Sequence, residues 1–169
     1  AIFRSTVDSE IFVHLLAHSN GRPFPDALRR ACSRVAGAYC LVLLHRGVLY
    51  ALRDPHGFRP LFVGRKDGAH VVASETCAFD LLGAEYIREM DPGEIVVIDV
   101  GGCHSFKPFP AERSAGCFFE HVYFARLDSL IFGESVQGVR KRLGEALYQE
   151  HPRDVDVVVP VPDSGVYAA

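Results

Sequence analysis

The sequence has little of what marks a membrane, secreted or nucleic-acid-binding chain. No apolar run is long enough to span a bilayer, and the opening AIFRST has no signal-peptide character. Neither charge sign dominates: 18 Lys and Arg stand against 21 Asp and Glu, a net charge of −3. That balance carries no electrostatic footprint for nucleic acid or a membrane surface. The one basic cluster, Arg140-Lys141-Arg142, reads as a solvated helix face. The five cysteines (Cys32, Cys40, Cys77, Cys103, Cys117) are odd in number, widely spaced and form no CxxC. They give no disulfide framework and no ribbon-type metal site, which suits a reducing, cytoplasmic setting. Internal repeats and low-complexity segments are also missing.

What is there is an ordinary globular composition. The chain has 169 residues, 49% hydrophobic and 23% charged, enough for one full core. Its ends are abrupt. It begins at Ala1 and closes on DVDVVVPVPDSGVYAA, a strand-like run, a turn and the first turn of a helix. A parallel strand needs a crossover back to its sheet, so the expectation is a piece of a longer protein.

Two helices come first. Residues 8–19 carry Ile11, Leu15 and Phe12, Leu16 at helical spacing, with Asn20-Gly21 as a stop. Residues 25–35 open on Pro25 and place Leu28, Ala31, Cys32 and Val35 on one face. Seven short strand-like runs follow, at 38–45, 47–53, 60–65, 69–74, 85–90, 94–100 and 103–109. Tight HRG, DPHG, KDG, DPG and GG turns join them. Such connections predict an antiparallel sheet, covered on both sides by helices or a second sheet. A short helix, Glu75 to Leu82, interrupts them. FPAERSAG (109–116) reads as a domain boundary. Beyond it the pattern predicts an aromatic strand at 117–126, a loop LDSLIFG, a helix from Ser135 to Glu150 and a strand at 155–161. That is the opening β-loop-α-β of an α/β domain.

Four motifs bear on chemistry. RDPHGFRPL (53–61) reads first as a turn, started by Asp54 and Pro55, with Gly57 at positive φ and Arg53 and Arg59 fixing it. The competing reading makes His56 a base. ASETCAF (73–79) puts Ser74 at a strand-to-helix junction, where it suits an N-cap; no nucleophile elbow surrounds it. HLLAH sets His14 and His18 four apart, as zinc ligands can be, without the Glu or third ligand of a metalloprotease. VPDSG (161–165) follows an apolar strand, where open α/β sheets bind ligands. Its N–H groups, Ser164 and Asp163 suit a phosphate or a hydrated Mg2+, or else an N-cap and turn.

RDPHGFRPL, VVASETCAFDLLGAEY, DPGEIVVID, FEHVYFARLDS and DVDVVVPVPDSG, in that order, resemble the glutamine phosphoribosyl pyrophosphate amidotransferases (amidophosphoribosyltransferases). The first two phrases would fit any class II glutamine amidotransferase, asparagine synthetase included. The last two resemble the phosphoribosyltransferase half. The resemblance implies an α+β then α/β chain. A truncated N-terminal-nucleophile hydrolase αββα sandwich, the class II glutaminase domain, would span 1–115. The start of a type I phosphoribosyltransferase domain would span 116–169. The implied reaction hydrolyses glutamine and passes the ammonia through an internal channel to phosphoribosyl pyrophosphate. It yields 5-phosphoribosylamine in the first committed step of purine synthesis. Mg2+, purine nucleotide inhibitors and a homo-oligomer, a tetramer in the family, are implied with it.

Three positions carry the family's roles. Asp8, in STVDSE, matches the carboxylate that holds the glutamine α-amino group, at a place where a helix start would otherwise use it as an N-cap. Ser164 matches a Mg2+-associated position. Cys117 matches the first ligand of the 4Fe-4S cluster that some members hold. The resemblance puts the N-terminal Cys nucleophile, the glutamine-clamping Arg and the oxyanion hole upstream of Ala1. None of the five cysteines is expected to replace that nucleophile. Leu127 stands where the family has Pro, and Val166-Tyr167 is bulkier than the family's residues. The alternatives are another class II amidotransferase, such as glucosamine-6-phosphate synthase, and a degenerate module that binds without turnover.

Overall fold

Arg46-Gly47 takes φ of 51° and 78°, and Asp67-Gly68 takes 49° and 84°. Two successive positive φ values make the two-residue turn whose twist matches that of paired strands. The first closes a hairpin of β1 (Cys40–His45) and β2 (Val48–Arg53), the second one of β3 (Phe62–Lys66) and β4 (Ala69–Ala73). The computed structural model describes residues 3, 5–19, 21–110 and 112–169, in two compact units, 1–37 and 38–169.

The first unit holds α1 (Glu10–Ala17) and α2 (Phe24–Cys32), which pack on one another. Both expected helices form. Asn20, half of the expected stop, lies outside the described residues. α2 ends before Val35 and buries Ala27, Leu28, Ala31 and Cys32.

In the second unit the strands divide into two antiparallel sheets. One has the order β1-β2-β6-β7, with β6 at Ile95–Asp99 and β7 at Gly102–Phe106. The other has the order β4-β3-β5, with β5 at Glu85–Glu89. All seven expected strands are present. Alternation along β3 shows how the layers stack. Leu61 and Val63 point into a core shared with Ala51 and Val96 of the first sheet and with Met90. Phe62 points the other way and meets Phe79 of α3 (Cys77–Leu82), Ala125, Ile131 and Val136. The three-stranded sheet is therefore covered by a second sheet on one face and by α3 and later chain on the other. Burying Phe62 and Phe79 completely removes two aromatic side chains from water, each worth about 1.5–3 kcal/mol.

The chain after residue 112 departs from its pattern. The expected aromatic strand at 117–126 is a π-helix, Glu120–Phe124. Cys117 N–H donates to Phe58 O at 2.8 Å, and then the chain turns on itself, with Ala125 N–H donating to Glu120 O at 3.0 Å. Among the described residues no strand pairs with this segment, so the backbone satisfies itself locally. LDSLIFG, expected as a loop, forms the small hairpin β8 (Leu130–Ile131) and β9 (Glu134–Ser135) on a Phe132-Gly133 turn. α4 (Val136–Glu150) forms where expected, with the Ser135 hydroxyl accepting from Gly138 N–H at 3.3 Å. The expected strand at 155–161 does not form. Among the described residues nothing pairs with it, and Val155, Val157, Val158, Val159 and Val161 are exposed. A short 3-10 helix, Ser164–Tyr167, follows.

Candidate functional site

The RDPHGFRPL loop is built around two buried charges. Asp54 is fully buried, and its carboxylate accepts from His56 N–H at 3.0 Å and Phe58 N–H at 3.2 Å, an Asx turn. Gly57 has φ of 61°, and a Cβ there would lie 2.8 Å from Pro92 Cγ. Arg53 donates to Arg59 O at 2.9 Å, to Gly57 O at 3.1 Å and to Met90 O, and pairs with Glu89 at 2.9 Å. The turn reading accounts for these residues. His56 sits at the edge, its Nδ1 3.2 Å from Arg113 O.

Arg59 does not fix the turn, as the sequence suggested. It reaches outward to the π-helix, its Nε 2.6 Å from Glu120 Oε1 and its guanidinium 4.4 Å above the centre of the Phe124 ring. Glu120 is 2% exposed. Burial pushes its carboxyl up, and the nearby Glu75 charge adds to that, while Arg59 opposes them.

The ASETCAF junction makes a second link. Ser74 is exposed, and the N-cap position of α3 belongs to Thr76. Thr76 Oγ1 accepts from Leu130 N–H at 2.8 Å. Glu75 Oε2 accepts from Arg126 N–H at 2.8 Å and from the buried Ser129 hydroxyl at 3.0 Å. Arg140 of α4, 6% exposed, donates to His121 O at 2.7 Å and Ala125 O at 2.9 Å.

These contacts shape an open cleft of about 1030 Å3. Tyr123, Phe124, Arg126 and Asp128 line it together with Ser164 and Tyr167. Arg126 and Asp128 form a two-pronged pair at 3.1 and 2.8 Å. Ser164 and Asp163 supply a hydroxyl and a carboxylate to the cleft. Oxygen donors of that kind suit a hydrated Mg2+ that keeps its remaining ligands as water and phosphate.

The other expected residues stand apart. Asp8 is exposed at the turn before α1. Ser9, not Asp8, holds the N-cap position, and the Asp8 carbonyl accepts from Ile11 N–H at 3.2 Å. Its carboxylate is not taken up as a cap. His14 pairs with Glu10 at 3.2 Å, and His18 Nδ1 donates to His14 O at 2.7 Å. Among the described residues no three His, Cys, Asp or Glu side chains converge on a metal position. Cys117 is half-buried, and its backbone N–H is held by Phe58 O at 2.8 Å. Burial pushes Cys40 up to about 11 and raises Cys77 and Cys103 as well. A nucleophilic cysteine needs the opposite shift.

Sequence reasoning missed Glu120, Glu75, Ser129 and Arg140. One signal was present: Glu120 is the lone acid in the apolar run CFFEHVYF. An acid in such a run is either solvated or paired, and here it is paired.

Known proteins share this architecture. A family model described as "Glutamine amidotransferase domain" matches residues 1–80. Amidophosphoribosyltransferase 2, chloroplastic, of Arabidopsis thaliana is 48% identical over 172 residues, covering 100% of this chain and 30% of that protein. An amidophosphoribosyltransferase of Methanothermobacter thermautotrophicus is 47% identical, covering 99% of this chain and 36% of its own length. The solved structure of glutamine phosphoribosylpyrophosphate amidotransferase from B. subtilis, complexed with ADP and GMP, superposes with a TM-score of 0.96 at 40% identity. It is covered to 37% by this chain, and this chain to 100%. The chain thus spans about a third of the length of these relatives.

Proposed function

We propose that the chain is part of an amidophosphoribosyltransferase, an enzyme that makes 5-phosphoribosylamine from phosphoribosyl pyrophosphate and glutamine in the first step of purine synthesis. One observation carries this reading. The glutamine amidotransferase model ends at residue 80, yet the likeness to amidophosphoribosyltransferases runs over the whole chain. A glutaminase domain joined to some other acceptor domain, as in glucosamine-6-phosphate synthase, would share only the first part.

Within that reading the residues divide the work. Asp8 holds the glutamine α-ammonium with its exposed carboxylate. The cleft beside the π-helix belongs to the acceptor half, which begins after the 109–116 segment. There Ser164 and Asp163 orient the hydrated cation of the pyrophosphate group. Mg2+, when bound, supplies charge that stabilises the departing pyrophosphate. The glutaminase nucleophile is none of Cys40, Cys77 and Cys103, whose thiols burial disfavours as thiolates. Purine nucleotides regulate the enzyme, in keeping with the ADP and GMP bound to the B. subtilis relative. The reading places the protein in the cytoplasm and in a homo-oligomer.

The test is an assay of the complete protein with glutamine, phosphoribosyl pyrophosphate and Mg2+. The reading expects glutamate and pyrophosphate to appear together. Glutamate release that ignores phosphoribosyl pyrophosphate, with no pyrophosphate formed, would contradict it.

A further inference from the structure

The π-helix is held by two elements, the RDPHGFRPL loop and Arg140 of α4, and the hold comes from motifs whose chemistry the proposed function leaves unused. Such helices are rare, and they are found frequently at functional sites. Here Arg59 grips both ends. Its Nε pairs with Glu120, the first residue, and its guanidinium stacks over the ring of Phe124, the last. The same loop also receives the lead-in to the helix, with His56 O accepting from Ala115 N–H at 2.9 Å and Phe58 O from Cys117 N–H at 2.8 Å. Arg140 takes the carbonyls of His121 and Ala125 from the opposite side.

The burial is uneven. The Glu120 side chain is 3% exposed and that of Arg59 43%. A buried carboxylate is costly without a partner, so Glu120 ties the position of the helix to Arg59, its ion-pair partner among the described residues. Tyr123 and Phe124 project from that helix into the cleft that also contains Ser164. Moving the helix by a fraction of an ångström would shift that part of the cleft lining.

We propose that Arg59 and Glu120 are positioning residues for the acceptor site: through the ion pair and the stack on Phe124, the RDPHGFRPL loop sets the part of the cleft lining that Tyr123 and Phe124 form. The inference rests on the proposed function, since it assigns the cleft to phosphoribosyl pyrophosphate. It gives the most distinctive phrase of the sheet region a task in the neighbouring half.

The experiment uses the complete protein and ammonia-dependent synthesis, which reads the acceptor site alone, beside glutamine hydrolysis. In Arg59→Ala the KM for phosphoribosyl pyrophosphate should rise about tenfold, as expected for loss of one charge-assisted contact of roughly 1.4 kcal/mol. The rise should exceed any change in the KM for glutamine by at least about threefold. Arg59→Lys keeps the charge but not the planar stack and should fall between wild type and Arg59→Ala. It also decides the matter if Arg59→Ala does not fold. Equal changes in both KM values, or an unmoved acceptor KM in Arg59→Lys, would overturn the inference. A wild-type protein that makes no phosphoribosylamine would overturn the functional reading, and this inference with it.

Discussion

Glu94 and Glu120 are both about 2% exposed and differ in what surrounds them. Burial pushes Glu94 up as well, but the Arg88 fork at 2.6 and 2.8 Å, the Ser105 hydroxyl and the Asp91 N–H outweigh it. Its carboxyl is held below the ordinary range. A folded value below the unfolded one adds stability above the ordinary Glu range, and that stability is lost as pH falls through the folded value. Glu94→Gln should therefore lower the stability of the complete protein by about 1–3 kcal/mol at pH 7. Arg88 is 40% exposed, so solvent screening favours the lower end. Thermal melts of both proteins should converge as the pH is brought below 4. A gap that stays constant with pH would mean that Glu94 acts through packing alone. Glu120 has the opposite sign: its raised carboxyl loses stability as pH climbs out of the ordinary Glu range. Asp8 has its own test. Removing a charge-assisted bond to an ammonium costs about 1.5–3 kcal/mol, so Asp8→Ala should raise the KM for glutamine about ten- to a hundredfold while ammonia-dependent synthesis survives. An unchanged KM for glutamine would leave Asp8 as no more than a residue in the turn before α1.

At the scale of elements, Gly57 is the position most sensitive to a single methyl. Its φ of 61° disfavours any Cβ, and the Cβ would meet Pro92 at 2.8 Å and Arg53 at 3.2 Å. Gly57→Ala should cost about 1–3 kcal/mol, read as a lowered thermal midpoint; an unchanged midpoint would mean that the loop yields freely. The hairpins were legible because their turns carry Gly where positive φ is required. The strands between them were legible because apolar residues alternate or run continuously. The π-helix was not legible. CFFEHVYFAR has the aromatic content of a strand, and among the described residues no strand offers it a ladder, a tertiary fact that the sequence pattern does not carry. The β8–β9 hairpin was hidden for a different reason. Its turn puts Phe132 at φ 51°, which a bulky residue seldom adopts. The ring is taken up by packing: a Cβ on Gly116 would approach it to 2.9 Å, and Arg53 lies 5.7 Å above it. The run DVDVVVPVP failed as a strand because its pattern specifies a face and not a partner. Ser164 was singled out as following a strand, and it lines the cleft although no strand forms before it. The clamp of Glu75, Arg59 and Arg140 could not be placed from the sequence, since each acts across 15 to 61 residues of sequence.

For the whole molecule, the sheet sandwich and the cleft form one continuous unit over 38–169. The functional reading makes the cleft the acceptor site, with Ser164 beside a hydrated cation and a pyrophosphate. One hydroxyl adjusts such a cation without holding it alone. Ser164→Ala should weaken use of phosphoribosyl pyrophosphate at limiting Mg2+, with partial recovery at excess Mg2+ and little change in glutamine hydrolysis without acceptor. A Mg2+ dependence identical to wild type would remove Ser164 from the acceptor site. The most direct test of the central claim is the stoichiometry of the complete protein supplied with glutamine, phosphoribosyl pyrophosphate and Mg2+. One pyrophosphate formed per glutamate released is the predicted result. Glutamate without pyrophosphate, or an aminated sugar phosphate formed from a hexose phosphate in its place, would contradict the account.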